Sequence, residues 1–226
     1  MEHPSITGIV IGTRPDCVDQ DKLDYIASLQ NENNFVAVEY GIESCYEQTL
    51  RLINRGHTFE QTRRAIEMTN ERGIHCGAHI IIGLPGETRE MILEQAKIIN
   101  TLPINSLKLH QLQVIKGTPL ADSLNDTAQN TLSENPVIKS FKNSNIQSSL
   151  ENYITLVCDF LQRLRPDIMI ERFAGEVPPR YQAFPSLSWY RKDGRLLRNE
   201  EIPQLIDSEL KRRNSRQGSD LNTHTQ

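Results

Sequence analysis

The sequence predicts an α/β fold, a parallel sheet with a helix following each strand. Three observations carry this expectation. Short apolar, β-branched runs alternate with segments of helical period up to about residue 112, the order that builds right-handed βαβ crossovers. The runs are apolar almost throughout, as in strands covered on both faces. Turn-forming and chemically active residues gather just after each run, where parallel sheets place their functional groups.

The elements follow in order. Residues 6–13 (ITGIVIGT) form a strand stopped by Arg14-Pro15-Asp16, which cannot extend it. Helical spacing of Leu23, Ile26, Ala27 and Leu29 predicts a helix over 19–30. A second strand, 35–41, leads to Glu43-Ser44 and a helix carrying Leu50, Leu52 and Ile53. Arg55-Gly56-His57 ends that helix, with Gly56 expected in the left-handed closing position. Thr58 and Gln61 have capping-box spacing. The third strand, 74–82, runs into Gly83-Leu84-Pro85-Gly86-Glu87-Thr88, a turn with the next N-cap at Glu87 or Thr88. A helix to about 101 and a fourth strand, 106–112, complete the repeat.

Beyond it, 125–149 are rich in Asn, Ser, Thr and Gln and read as a polar flexible insertion. A helix over 150–164 and a short strand over 167–171 form a small C-terminal α/β extension. The domain expectation is therefore a partial barrel over 1–124, the insertion over 125–149, the extension over 150–210 and a disordered polar tail over 211–226. Four main strands are too few to close a barrel, and the outer edge of the first would be uncovered. That edge predicts self-association, or else a chain that has lost its beginning.

Composition narrows the function. A net charge of −4 and a pI near 5.9 argue against holding nucleic acid by bulk electrostatics. The apolar runs are far shorter than the roughly 20 residues a membrane span requires, and Met1-Glu2-His3-Pro4 lacks signal-peptide character. Cys17, Cys45, Cys76 and Cys158 include no CxxC pair and read as reduced thiols of a cytoplasmic protein.

Five segments then fall in register: Gly12-Thr13-Arg14-Pro15-Asp16, Glu39-Tyr40-Gly41-Ile42-Glu43-Ser44, Asn54-Arg55-Gly56-His57, Gly83-Leu84-Pro85-Gly86-Glu87 and Lys108-Leu109-His110. Together they resemble the radical SAM superfamily, and within it the bacterial branch of uncharacterised iron–sulfur oxidoreductases related to the Elongator catalytic subunit. Ser188-Trp189-Tyr190-Arg191-Lys192 resembles that branch's closing motif. The resemblance spans about 6–120 and 150–195.

It implies a partial (β/α) barrel that binds S-adenosylmethionine beside a [4Fe–4S] cluster and generates a 5′-deoxyadenosyl radical that acts on a substrate the motifs do not name. It also implies a CxxxCxxC loop as the cluster's ligand set, and no such motif occurs in these 226 residues. The expectation is a barrel lacking its first two strands, without cluster ligands of its own and inactive alone. Five cofactor-binding residues follow from the resemblance. Arg55 pairs with the methionyl carboxylate, Glu43 and Ser44 lie at the end of the second strand, His79 aligns with a ribose contact, and Gln113 follows the fourth strand. Gly83-Leu84-Pro85-Gly86 would bring backbone close to the adenine.

Each has a local reading beside it: Arg55 as a helix-end cation, Ser44 as an N-cap, His79 as a hydrogen-bonded core histidine. Thr13, Arg14, Lys108 and His110 are further candidates for the barrel interior. Relatives acting on transfer RNA make RNA a conceivable substrate, which the negative charge does not support. The alternatives are an unrelated aldolase-type or phosphate-binding barrel, which would need a Schiff-base lysine or an anion-binding Gly loop at a strand end for which Lys108 and Gly117 are poor substitutes, and a non-catalytic binding module.

Overall fold

The computed structural model describes residues 6–122, 149–183, 189, 195 and 197–221. Strands β1 (Gly8–Thr13), β2 (Phe35–Glu43), β3 (His75–Ile82), β4 (Ser106–Gln111) and β5 (Met169–Arg172) form one sheet in sequence order. All four pairings are parallel. The crossovers carry α1 (Gln20–Ser28), α2 (Glu47–Leu52), α3 (Phe59–Glu71), α4 (Arg89–Asn100) and α5 (Leu150–Arg163), and α6 (Ile202–Arg212) follows β5.

Side chains alternate between the two faces of each strand. On one face Val38, Tyr40 and Ile42 of β2, Cys76, Ala78, Ile80 and Ile82 of β3, and Leu107 and Leu109 of β4 join a single core with α3, α4 and α5. Ile66, Ile92, Ile99, Val157 and Phe160 meet them from the helices and are fully buried. Each such side chain contributes about 1.5–3 kcal/mol by leaving water. The Tyr40 hydroxyl lies 2.7 Å from Thr69 Oγ1, which itself donates to the Ala65 carbonyl.

The caps follow the sequence. Asp19 accepts from the Lys22 amide, Thr58 and Gln61 form the reciprocal box, and Ser149 accepts from the Asn152 amide. At α4 the cap is Thr88, which frees Glu87 for another role. At the end of α2 the left-handed residue is Asn54 (φ 53°), not Gly56 as the sequence suggested. Gly56 is small for a different reason: a Cβ there would lie 3.1 Å from Nη1 of Arg14.

One expectation changes at the C-terminal end. The tail expected to be disordered from Lys211 is ordered as far as Leu221. The Gly218 and Asp220 backbone amides donate to the Leu161 and Gln162 carbonyls, and the Gln217 side-chain amide (Nε2) donates to the carbonyls of Arg165 and Ile168. Arg213 reaches Asp159 at 2.5 Å. The segment is fixed by hydrogen bonds and ion pairs, so its polar composition concealed its order. The expected insertion lies outside the described residues except for Ser149. Of the closing motif only Trp189 is described, tilted against Tyr153 with ring centroids 4.6 Å apart. At the opposite edge Ile9 and Val10 of β1 are exposed, Val10 to 55%.

Candidate active site

The second face of the sheet is polar, and strand parity decides what stands on it. Glu39 and Gly41 of β2, Gly77 and His79 of β3, and Ser106, Lys108 and His110 of β4 all point away from the helices. Glu39 lies at its centre. Lys108 Nζ donates to both carboxylate oxygens of Glu39 at 2.6 Å, and His79 Nε2 lies 2.9 Å from Oε2. Glu171 Oε2 approaches the same ammonium at 3.3 Å. Gly77 provides the room, since a Cβ there would come within 3.0 Å of both Glu39 Cγ and Ser106 Oγ. Burial opposes ionisation of Glu39, but the hydrogen bonds from Lys108 and His79 outweigh it and hold the carboxyl below its ordinary range.

At the carboxyl end of β2 the register to β3 shifts between Gly41 and Glu43, and Glu43 takes a left-handed φ of 63°. A non-glycine residue in that region is strained by about 1–3 kcal/mol unless its surroundings hold it. Here Arg55 holds it. Its Nη2 donates to the Gly41 carbonyl at 2.9 Å and meets Glu43 Oε1 at 3.0 Å. Gly41 leaves room for this pair, because a Cβ would fall 2.6 Å from Glu43 Oε1 and 2.7 Å from Arg55 Nη2 and would displace both side-chain ends. Burial raises the Glu43 carboxyl, and the Arg55 charge only partly offsets this. Arg55 Nε is buried without a partner. His57, buried beside it, makes nothing better than a loose approach to the Ile42 backbone, and burial followed by the Arg55 charge lowers its pKa.

Glu43 opens onto a cavity of about 380 Å³, lined also by His79, His110, Gln113, Arg172 and Glu176. The loop after β5 forms its far wall. Gln111 and Gly175 exchange two hydrogen bonds (2.7 and 2.8 Å), and Gln113 donates to the same Gly175 carbonyl at 2.9 Å. His110 packs on Gly175, where a Cβ would lie 2.7 Å from its Nδ1. Its pKa is pushed down to about 4, by burial first and then by the charges of His79, Arg172 and Lys108.

The structure therefore brings Glu43, His79 and Gln113 to one cavity and places Arg55 directly behind Glu43. Gln113 serves the wall: besides Gly175, its Oε1 accepts from Gln182 at 3.3 Å. Ser44 is elsewhere. It is fully buried on the helix side, donating to Glu87 Oε1 at 2.5 Å and accepting from the Tyr46 amide. Glu87 also accepts from Gln95, whose Oε1 takes the Cys45 amide. Ser44 thus anchors the strand-to-helix turn and is not an N-cap, since α2 is capped at Tyr46 without a side-chain bond. Gly83 and Gly86 adopt positive φ (89° and 91°), as the turn reading requires. Arg14 forks onto Asp16 at 2.9 and 2.6 Å, so its donors are used locally.

Lys108 and His110 do project from the polar face. Glu39, Arg172, Gly175 and Glu176 were missed by the sequence reading. For Glu39 the signal existed: a lone carboxylate inside an apolar strand must find a cation, and Lys108 stands on the facing parity two strands away.

A metal cluster does not fit the residues present. Cys45, Cys76 and Cys158 are each buried, and Cys17 is exposed on the turn Pro15–Cys17. Burial pushes the Cys76 thiol up to about 12 and the Cys158 thiol to about 11, away from the thiolate a ligand requires. Among the described residues no group of three His, Cys, Asp or Glu side chains could hold a metal ion.

A parallel sheet with one face packed on helices, a charged opposite face and a cavity at the strand ends defines an α/β protein of the partial-barrel type. The Radical SAM superfamily model matches residues 2–99 and the Radical_SAM C-terminal domain model matches 104–201. The chain belongs to the radical SAM superfamily. It is 34% identical over 220 residues to an uncharacterized protein of Methanocaldococcus jannaschii, covering 97% of this chain and 61% of that protein. It is 31% identical over 115 residues to the tRNA uridine(34) acetyltransferase of Methanocaldococcus infernus, 50% of this chain and 21% of that enzyme. Among solved structures, the Methanocaldococcus infernus Elp3 with an N-terminal deletion shares the fold at a TM-score of 0.69 and 20% identity, over 93% of this chain and 43% of that one. The chain spans about three-fifths of the length of the curated relatives it matches over nearly its whole sequence. No helix among the described residues is long and apolar enough to cross a membrane.

Proposed function

We propose that this chain supplies the S-adenosylmethionine-facing side of a radical SAM enzyme's cavity, with the cofactor seated at the carboxyl end of β2. The observation that carries this reading is the Arg55–Glu43 pair at a strained strand end beside the 380 Å³ cavity, with Arg55 Nε buried and unpartnered. The Arg55 side chain is 26% exposed, and a guanidinium suits a carboxylate. On this reading Arg55 holds the methionyl carboxylate, Glu43 takes the amino group or a ribose hydroxyl, and His79 faces the ribose. Gln113 fixes the Gly175 wall, and Ser44 acts from behind by anchoring the turn. Bound S-adenosylmethionine supplies a 5′-deoxyadenosyl radical in this superfamily. The chain's own four cysteines do not fit the [4Fe–4S] cluster, so the reading asks only binding and orientation of these residues.

The substrate stays open in this proposal. A relative named for transfer RNA makes RNA a candidate, and the net charge of −4 favours recognition by shape over bulk attraction. The aldolase-type alternative gains nothing here, because the Lys108 ammonium is held by Glu39 and Glu171. Calorimetric titration with S-adenosylhomocysteine tests the assignment. Loss of a charged hydrogen bond is worth ~1.5–3 kcal/mol, so Arg55→Ala should weaken binding roughly tenfold to a hundredfold. Unchanged affinity in a folded variant would remove Arg55 from the site.

A further inference from the structure

We infer that His79 is a proton-accepting residue of the cavity, a base oriented by Glu39, whose Nδ1 takes a proton from an O–H or N–H group of the ligand bound there. The inference shares with the proposal above only the location of the ligand.

The geometry fixes the ring. Glu39 receives both of its short hydrogen bonds from the Lys108 ammonium and has Glu171 on the far side of that cation. A carboxylate so placed has only lone pairs to offer, so the 2.9 Å contact to His79 Nε2 is an Nε2–H donating to Oε2. That hydrogen bond selects the tautomer, as a carboxylate behind an imidazole does in acid–base sites generally. Nδ1 is left with its lone pair and makes no hydrogen bond among the described residues, while the ring lines the cavity.

The surroundings keep the ring neutral and receptive. Burial lowers the His79 pKa, Glu39 partly restores it, and Lys108 and Arg172 lower it again. From β4, His110 faces it with ring centroids 5.7 Å apart, and from the end of β2, Glu43 shares the cavity. At neutral pH His79 is therefore an acceptor and not a cation.

The step balances without a further reactant. The ligand's X–H bond breaks, its electron pair remains on X, and the proton moves to Nδ1. The imidazolium formed lies against the Glu39 carboxylate, which offsets its charge, and the reverse transfer returns the proton. A core histidine that merely satisfies Glu39 would need no open nitrogen.

Nitrogen-15 NMR of the histidine side chains in the full chain tests the tautomer. His79 should be neutral at pH 7.5 with its proton on Nε2 and an unprotonated Nδ1, and Glu39→Gln should release that preference toward a mixture. A neutral Nδ1–H ring in the wild type would overturn the inference. A second measurement needs no variant. Diethyl pyrocarbonate, mapped by peptide mass analysis, should modify His79 an order of magnitude faster than His57, whose ring nitrogens are both buried. Equal inertness of the two would also overturn it. Repeating the modification with S-adenosylhomocysteine separates the two proposals. Fast modification without protection supports the base and counts against the cofactor placement; protection supports both.

Discussion

Glu87 offers a stability test that needs no ligand. It is 2% exposed at the start of α4, and burial raises its carboxyl from an ordinary 4.5 to about 7 despite hydrogen bonds from Ser44, Thr49 and Gln95. The folded chain therefore holds this proton more tightly than the unfolded one. The stabilisation is complete below pH 4.5 and is lost as pH rises through 7. Taking ~1.4 kcal/mol for each tenfold change in proton affinity, the wild type should lose about 2.5 kcal/mol from this group between pH 5 and 8. Other carboxylates act in the opposite sense; Glu39, lowered by its partners, loses its contribution only as pH falls. The comparison is therefore with Glu87→Gln, which is neutral throughout and keeps an acceptor for the Ser44 hydroxyl. Urea unfolding of both proteins across that pH range should show the wild type falling relative to the variant. Parallel curves would refute a buried, titrating Glu87 and with it the account of how Ser44 anchors the turn.

Three further outcomes follow from single contacts. Gly175→Ala would place a Cβ 2.7 Å from His110 Nδ1, and overpacking of this kind costs roughly 1–3 kcal/mol; an unchanged urea midpoint would show that the cavity wall yields freely. Thr58→Ala removes the hydroxyl half of the α3 capping box and leaves the backbone amide at position 58 donating to Gln61 Oε1; it should lower stability by about 1 kcal/mol, read as a lower melting temperature. Val10→Lys places a charge on the exposed β1 edge and should reduce self-association in sedimentation velocity; identical profiles for variant and wild type would show that the edge does not pair.

The fold was legible because its signals are local. Apolar runs, capping residues and Gly/Pro turns gave every strand of the sheet to within two or three residues, and β2 ran past Gly41 only because the bulge at Glu43 continues its pairing. What the sequence hid depends on partners far along the chain. Ser44 belongs to Glu87, 43 residues on, and not to the cavity. Glu39 acquires its meaning from Lys108, 69 residues away. Gln113 is spent on Gly175, in a loop the strand pattern could not locate. The ordered segment to Leu221 escaped notice because hydrogen bonds and ion pairs, not apolar burial, hold it. Strand parity would have flagged Glu39; nothing in the sequence marks Gly175.

Hydrogen–deuterium exchange of the full chain with and without S-adenosylmethionine tests the central claim most directly. Ligand seated at the carboxyl end of β2 should slow exchange over residues 41–45, 110–115 and 173–177, and leave α1 and the outer face of α3 unchanged. No protection at saturating cofactor, or protection confined to the helix layer, would contradict the placement of the site.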